Sequence, residues 1–150
     1  MHAELTYDRL GNRLRGIGHV QLAYDRLGNR PKSLGEWPLT YDWLGNRLRS
    51  VGDLAVDYGR WGGNREFVGE WPLEYDRWSS LLRRVGAYEL TYDRLGNRVR
   101  TVGPLTLDYD WLGNRARRVE LPDGVRRLSD DDVLAVFLVL YHQEERDEKG

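Results

Sequence analysis

The residues best suited to acid–base chemistry in this chain are tyrosine–aspartate pairs that recur along it. The string YDRLGNR stands at 7–13, 24–30 and 92–98, and YDWLGNR stands at 41–47 and 109–115. A tyrosine hydroxyl beside a carboxylate could exchange a proton with a substrate. A catalytic centre requires one asymmetric constellation, whereas these pairs occur in nearly every copy. The repetition therefore favours a structural role, and we expect no enzymatic activity.

Other groups that could carry chemistry are few. His2, His19 and His142 have no spacing typical of paired metal ligands. Three consecutive aspartates at 130–132 could gather a cation, but helix capping explains them better. The sequence has no cysteine, no phosphate-binding loop and no dinucleotide fingerprint. We therefore expect no catalytic residue, no metal and no cofactor.

Tryptophan provides the most plausible binding chemistry. An exposed indole beside Asp, Asn or Arg could stack on a sugar or a nucleobase. The other interpretation is that the rings pack over the rim of the fold. The candidate binding residues stand at hairpin-loop positions of the repeats: Trp43, Trp61, Trp78 and Trp111.

The elements that position these groups follow a repeat of seventeen residues. The marker tyrosines are Tyr7, Tyr24, Tyr41, Tyr58, Tyr75, Tyr92 and Tyr109. An apolar residue stands two places before each marker and another stands ten places after it. Glycine follows this second apolar residue in the first six units. Seven equivalent units are therefore expected.

Each unit has the pattern of a β-hairpin. The string LTYD alternates apolar and polar residues with the period of a half-buried strand. Aspartate followed by glycine three places later suits a type I turn with a bulge. The glycines expected to form these turns are Gly11, Gly28, Gly45, Gly96 and Gly113. The sequence thus predicts a mainly β fold of about fourteen strands in an antiparallel meander, either a closed barrel-like shell or a strongly curved sheet.

The turn chemistry also predicts a register, illustrated by the third unit. With a three-residue loop, Tyr41 faces Arg47 and Leu39 faces Arg49, while residues 51–54 form a two-residue hairpin. Two arginine columns would then share the apolar face. Their guanidinium planes could stack on the tyrosine rings, or a bulge at the glycine could turn them outward.

A segment that is not a repeat follows the seventh unit. Residues 121–128 indicate a turn or a short strand, and Ser129 with Asp132 resembles a helical capping box. The run Val133–Tyr141 is apolar nearly all round, which predicts a buried helix over 129–146, with a β-strand as the rival. Fourteen closed strands would make a ring roughly 25–30 Å across, wide enough for a helix. The helix would fill this ring, or it would lie on the apolar face of an open sheet.

Composition indicates one domain spanning 1–150, with the repeats in 5–120. The net charge is −1, so neither nucleic acid nor membrane is an expected partner. Residues 1–120 carry 19 basic and 16 acidic side chains, a net of +3, and residues 121–150 carry 4 and 8, a net of −4. The absence of cysteine and of an apolar leader favours a soluble, cytoplasmic protein.

The string YDRLGNRLR at 7–15 and its copies resemble the YD repeats of Rhs and teneurin-type proteins over residues 5–119. The resemblance implies a spiralling β-shell scaffold. This chain has seven units where that family has dozens, and its terminal helix is too short for the toxin that such shells often enclose. We therefore expect a non-catalytic scaffold that serves as a binding or structural module, through a protein partner or by self-association. The alternative is a lectin-like carbohydrate binder that uses the loop tryptophans.

Overall fold

A computed structural model describes residues 1–8, 13–25, 30–42, 47–59, 64–79, 81–93, 98–110 and 115–149, with side chains described as far as 146. Within these residues, fourteen β-strands precede one α-helix. The bounds are β1 His2–Tyr7, β2 Leu14–Ile17, β3 Val20–Tyr24, β4 Pro31–Leu34, β5 Trp37–Tyr41, β6 Leu48–Val51, β7 Leu54–Tyr58, β8 Arg65–Val68, β9 Trp71–Tyr75, β10 Leu82–Val85, β11 Tyr88–Tyr92, β12 Val99–Val102, β13 Leu105–Tyr109, β14 Ala116–Glu120 and α1 Asp130–Lys149.

The strands form a closed antiparallel barrel in which strands consecutive in sequence are neighbours. Closure is made by β1, which pairs with β2 on one side and with β14 on the other. The predicted fold class, seven β-hairpin units with a C-terminal helix, is therefore confirmed, and the open-sheet alternative is wrong. Closure gives every described strand a hydrogen-bonded neighbour on each side, so edge-to-edge pairing with another chain has no free strand to use.

The register within each unit differs from the predicted one. In the third unit Tyr41 pairs with Leu48, not with Arg47, and Leu39 pairs with Val51, not with Arg49. The backbone N–H of Asp42 donates to the carbonyl of Arg47 at 2.9 Å, which closes the hairpin one residue later than predicted. The longer closure moves the pairing of Tyr41 by one residue, and a bulge between Thr40 and Tyr41 moves that of Leu39 by one more. This bulge recurs at the equivalent place in all seven units.

The predicted two-residue hairpin at the other end of the unit is confirmed. Val51 pairs with Leu54, and Gly52 between them has a φ of 59°. We call this end of the barrel the glycine end, with turns at 18–19, 35–36, 52–53, 69–70, 86–87 and 103–104. The opposite end, at which the marker tyrosines lie, is the tyrosine end.

The interior of the barrel is a set of aliphatic rings. The residue ten places after each marker tyrosine is at most 1% exposed in all seven units: Ile17, Leu34, Val51, Val68, Val85, Val102 and Val119. Seven equivalent side chains at one level make a continuous apolar lining. Burial of this lining requires a matching apolar body inside the barrel.

Helix α1 is that body. Every residue from Val133 to Val139 is at most 3% exposed. The helix contacts β10 and β12, which lie on one side of the barrel wall, and also β2, which lies on another part of the wall beyond β13, β14 and β1. A helix with apolar residues on all sides is therefore surrounded by strands and fills the lumen.

The start of α1 is fixed by the predicted capping box, which is confirmed. The hydroxyl of Ser129 accepts a hydrogen bond from the backbone N–H of Asp132 at 3.0 Å, and the Asp132 carboxylate accepts one from the N–H of Ser129 at 3.0 Å. Asp132 also accepts a hydrogen bond from the hydroxyl of Tyr88, at 2.6 Å. Because Tyr88 follows a glycine turn, α1 enters the lumen at the glycine end and runs towards the tyrosine end.

Candidate binding surfaces at the two ends of the barrel

Six of the seven marker tyrosines donate a hydrogen bond to a backbone carbonyl just inside the tyrosine end. In five of them the acceptor is the carbonyl ten residues earlier in the chain. The bonds of Tyr24, Tyr41, Tyr58, Tyr92 and Tyr109 measure 2.5 to 2.7 Å. The hydroxyl of Tyr7 donates across the closure of the barrel to the carbonyl of Ala116 at 2.6 Å. The tyrosines therefore join neighbouring units to one another.

Arginine side chains cover these tyrosines. The arginine six places after one marker stacks on the ring of the next marker, with its guanidinium carbon 4.1 to 4.6 Å from the ring centroid. The pairs are Arg13–Tyr24, Arg30–Tyr41, Arg47–Tyr58, Arg98–Tyr109 and Arg115–Tyr7. The arginine eight places after the marker points outward at the bulge, as exposed Arg49 does. The predicted stacking thus holds for one arginine column, and the other column turns outward at a bulge beside the marker tyrosine, whereas the predicted bulge was at the loop glycine.

The aspartate beside each marker tyrosine also has a partner. Arg13, Arg47 and Arg98 donate to the carboxylates of the aspartates that begin their own loops, at 2.5 to 2.9 Å. Tyrosine, arginine and aspartate therefore form a repeated structural triad. In these units its polar atoms face one another, which supports a structural role for the Tyr–Asp pair.

Burial disfavours the phenolate form and raises the pKa of every marker tyrosine. The pKa of Tyr24 and that of Tyr75 rise to about 12. At neutral pH these groups are therefore protonated hydrogen-bond donors.

The fourth and fifth units depart from this arrangement. Arg65 occupies an inward position, seven places after Tyr58, and is 6% exposed. Its guanidinium forms an ion pair with Glu145 of α1 and lies 5.1 Å from the ring centroid of Tyr141. Burial would lower the pKa of Arg65, but the Glu145 carboxylate raises it, and the net shift is upward. The hydroxyl of Tyr75 has no hydrogen-bond partner among the described residues.

Only one of the four candidate binding tryptophans lies in the described part of the chain. Trp78 is 87% exposed, and the guanidinium of Arg77 lies 5.5 Å from its ring centroid. The backbone N–H of Trp78 donates to the Asp76 carboxylate at 3.3 Å. The predicted binding residues Trp43, Trp61 and Trp111 lie outside the described residues, as do the predicted turn glycines Gly11, Gly28, Gly45, Gly96 and Gly113.

The three histidines lie apart. His2 contacts Glu4 at 3.3 Å, and His19 lies 3.4 Å from a guanidinium nitrogen of Arg127. His142 is buried on α1 and meets the Tyr75 ring edge-on, with the centroids 5.4 Å apart. Among the described residues, no three His, Cys, Asp or Glu side chains come together in a group that could hold a metal ion.

Two features of the surface were not predicted from the sequence. At the glycine end, large residues four places before the marker pack on the glycine turn eleven places after the same marker, as Trp71 does on Gly86. Trp71 and Tyr88 are half-buried there, with ring centroids 5.8 Å apart. The second feature is that the outward residue eight places after the marker is exposed in all seven units and basic in six of them, although its outward direction was one of the two predicted alternatives. Alignment of the seven units at their tyrosines would have revealed both columns.

Comparison with known proteins gives no relative: no protein-family model, no curated protein and no solved structure matches the chain. In the described part of the chain, no helix combines the length and the apolar character needed to span a membrane.

Proposed function

We propose that the chain is a non-catalytic repeat scaffold that binds a protein surface, either a partner protein or a second copy, through its tyrosine end. The observation that carries this proposal is the exposure of Trp78. Its indole is 87% exposed, whereas the exposed aromatic of the outer wall, Phe67, is 42% exposed. Tryptophan is enriched among residues that dominate protein–protein binding energy, because it buries a large area with few rotatable bonds.

The architecture supports this role in two ways. The lumen is filled by α1, so a ligand would have to bind on the outside of the barrel. Loops held on a rigid scaffold are common binding positions, since the scaffold fixes their spacing. The resemblance of residues 5–119 to YD repeats supports assignment to that class of shell scaffolds. The absence of cysteine supports a cytoplasmic location.

Light scattering over a wide range of protein concentration tests self-association. The parent chain should show a mass that rises with concentration, and Trp78→Ala should reduce the rise. Phe67→Ala is the matched control, because it removes an exposed aromatic from the outer wall, and it should behave as the parent does. Equal loss of association in both variants would contradict a specific role for Trp78. A single-chain mass throughout would leave only a partner of different sequence.

Carbohydrate binding is the second candidate function. Trp78 presents an exposed ring next to Asp76 and Arg77, a combination that can stack on a sugar ring and bond its hydroxyls. A glycan array should then show binding that is lost in Trp78→Ala, and in Trp43→Ala with Trp111→Ala. Absence of binding by the parent chain on the array would eliminate this candidate.

A further inference from the structure

A belt of basic side chains encircles the outer wall near the tyrosine end. In every unit the marker tyrosine pairs with the residue seven places after the marker. The residue just before the marker pairs with the residue nine places after the marker. The residue eight places on is therefore bulged out of the ladder. All seven residues at this place are exposed, and six are basic: Arg15, Lys32, Arg49, Arg83, Arg100 and Arg117. The seventh is Glu66.

These six residues, the basic belt, are largely uncompensated. Arg117 lies 2.9 Å from the carboxylate of Asp110. The other five make no ion pair or hydrogen bond with any residue in the described ranges. The arginines that stack on the tyrosines, by contrast, pair with the aspartates of their own loops. The belt outnumbers the exposed carboxylates Asp25, Glu66 and Glu144 at the same end, and it gives the tyrosine end an excess of exposed positive charge.

The glycine end carries the opposite charge. Three consecutive hairpin turns expose Glu36, Asp53 and Glu70. The first residues of α1, Asp130 and Asp131, are exposed at the same end, as is Asp123 in the turn that precedes the helix. Arg126 and Arg127 offset part of this charge. A chain with a net charge of −1 is thus divided into a basic end and an acidic end.

We infer that the barrel associates head to tail with a second copy of itself, the acidic glycine end of one copy facing the basic belt of the next. The inference rests on the proposed role of the tyrosine end as a binding surface. Equivalent residues of adjacent units are two strands apart, about 10 Å, so charges at the two ends repeat at a common interval. A net charge near zero offers little overall repulsion to such a contact. Because the two surfaces differ, the contact is heterologous and extends into open-ended stacks.

Ionic strength provides the first test. Charged surfaces attract one another strongly when the Debye length is about 30 Å, at about 0.01 M salt, and weakly when it is about 3 Å, at 1 M. Light scattering should therefore show stacks at low salt that dissociate as salt is added. Association that persists unchanged in 1 M salt would overturn the inference and would leave the proposed binding function intact.

Charge reversal provides the second test. A belt variant carries Arg49→Glu, Arg83→Glu and Arg100→Glu. Its dissociation constant should rise by at least about tenfold, because like charges then face each other. Arg84→Glu is the control at a neighbouring wall position. Arg84 is already paired with Glu89 at 2.7 Å, and its reversal should leave association close to that of the parent.

The reciprocal turn variant carries Glu36→Lys, Asp53→Lys and Glu70→Lys, and it should be equally impaired. An equimolar mixture of the belt and turn variants should associate again, since an acidic belt then meets basic turns. Circular dichroism should show that the belt and turn variants are folded, as their substituted side chains are exposed. A mixture that stays monomeric, or a turn variant that associates as the parent does, would overturn the inference.

Glu66 provides a test by gain of association. Glu66→Arg completes the belt, and stacking should strengthen by about threefold or more at low salt. Binding of random-sequence duplex DNA or of vesicles with anionic lipid, under conditions in which the parent remains monomeric, would assign the belt to a polyanion and contradict stacking. A parent chain that never associates would contradict both stacking and the self-association form of the proposed function.

Discussion

Removal of one or the other partner of the Arg65–Glu145 ion pair should have unequal effects on stability. Arg65 is 6% exposed, and Glu145 carries the one carboxylate that pairs with it among the described residues. Glu145→Ala leaves a cation in the barrel without its counter-charge, a change that costs about 3–5 kcal/mol for a fully buried pair. The Glu145 side chain is 36% exposed, so solvent already screens part of the attraction. The aromatic rings of Tyr58 and Tyr141 also remain near the guanidinium. We therefore expect a loss of about 2–3 kcal/mol in the free energy of unfolding.

Arg65→Leu removes the buried charge itself. Leucine occupies the equivalent place in other units, at Leu14, Leu48 and Leu82, where it is buried in the core. The carboxylate of Glu145, being partly exposed, can then be solvated by water. Replacement of a buried ion pair by apolar side chains is often neutral or stabilising, so this variant should lie within about 1 kcal/mol of the parent.

Urea unfolding followed by far-ultraviolet circular dichroism measures both changes on one scale. Glu74→Ala is the control, because it removes the more distant of the two carboxylates paired with Arg84 on the outer wall, at 3.7 Å, and should cost less than about 1 kcal/mol. If Glu145→Ala costs no more than this control while Arg65→Leu is the more damaging change, burial of an unpaired cation is not what sets stability at this site.

Three further predictions concern the repeats. Tyr41→Phe should lower the free energy of unfolding by about 1 kcal/mol, because it removes a hydrogen bond to a backbone carbonyl. Tyr75→Phe should be near neutral, because the Tyr75 hydroxyl has no hydrogen-bond partner among the described residues. Thermal unfolding compares the two variants. The contribution of the buried tyrosines to stability should be complete below the unfolded tyrosine pKa of about 10 and should fall as the pH rises towards 12. The reason is that burial raises the pKa of Tyr24 and Tyr75 to about 12, so unfolding releases protons in this range. Alkaline unfolding followed by tyrosinate absorbance measures the effect. Gly124→Ala should cost roughly 1–2 kcal/mol of left-handed backbone strain, because its Cβ would meet open space. Gly86→Ala should cost more, because its Cβ would also lie 2.9 Å from the indole ring of Trp71. Urea unfolding of the two variants measures the difference.

Features of the fold that depend on local chemistry were predictable from the sequence. The glycine turn at residues 52–53, the alternation of the strands and the capping box of Ser129 with Asp132 each rest on residues close together in the chain. The register was not predictable, because one additional loop residue moves every pair beyond it. Closure and the position of α1 depend on pairing between β1 and β14, strands from opposite ends of the repeat array, which no local pattern specifies.

The candidate sites were likewise predictable only where their residues lie close together in the chain. Stacking of arginine on tyrosine was one predicted alternative, but the partners come from adjacent units, as Arg13 and Tyr24 do. That relation exists only between neighbouring hairpins. The pairing of Arg65 with Glu145 requires a known rotation of the helix inside the barrel, so the sequence shows only that Arg65 is an exception among apolar residues.

The two irregular units and the central helix compensate for each other. A stacking arginine would stand at position 64 for Tyr75 and at 81 for Tyr92, but these places hold Asn64 and Leu81. At Tyr75 the ring instead meets His142 of α1 edge-on, at 5.4 Å between centroids. At Tyr92, burial raises the pKa of the tyrosine hydroxyl, and the positive charge of Arg146 on α1 offsets part of this rise.

The helix thus supplies, on one side of the lumen, the polar and cationic groups that the repeat supplies elsewhere. A barrel of seven identical units would offer seven equivalent orientations to a helix inside it. The connection to β14 and the hydrogen bond of Tyr88 with Asp132 restrict that choice, and the buried ion pair of Arg65 with Glu145 further favours the observed orientation. The departures from the repeat in units four and five therefore lie where α1 makes its polar contacts.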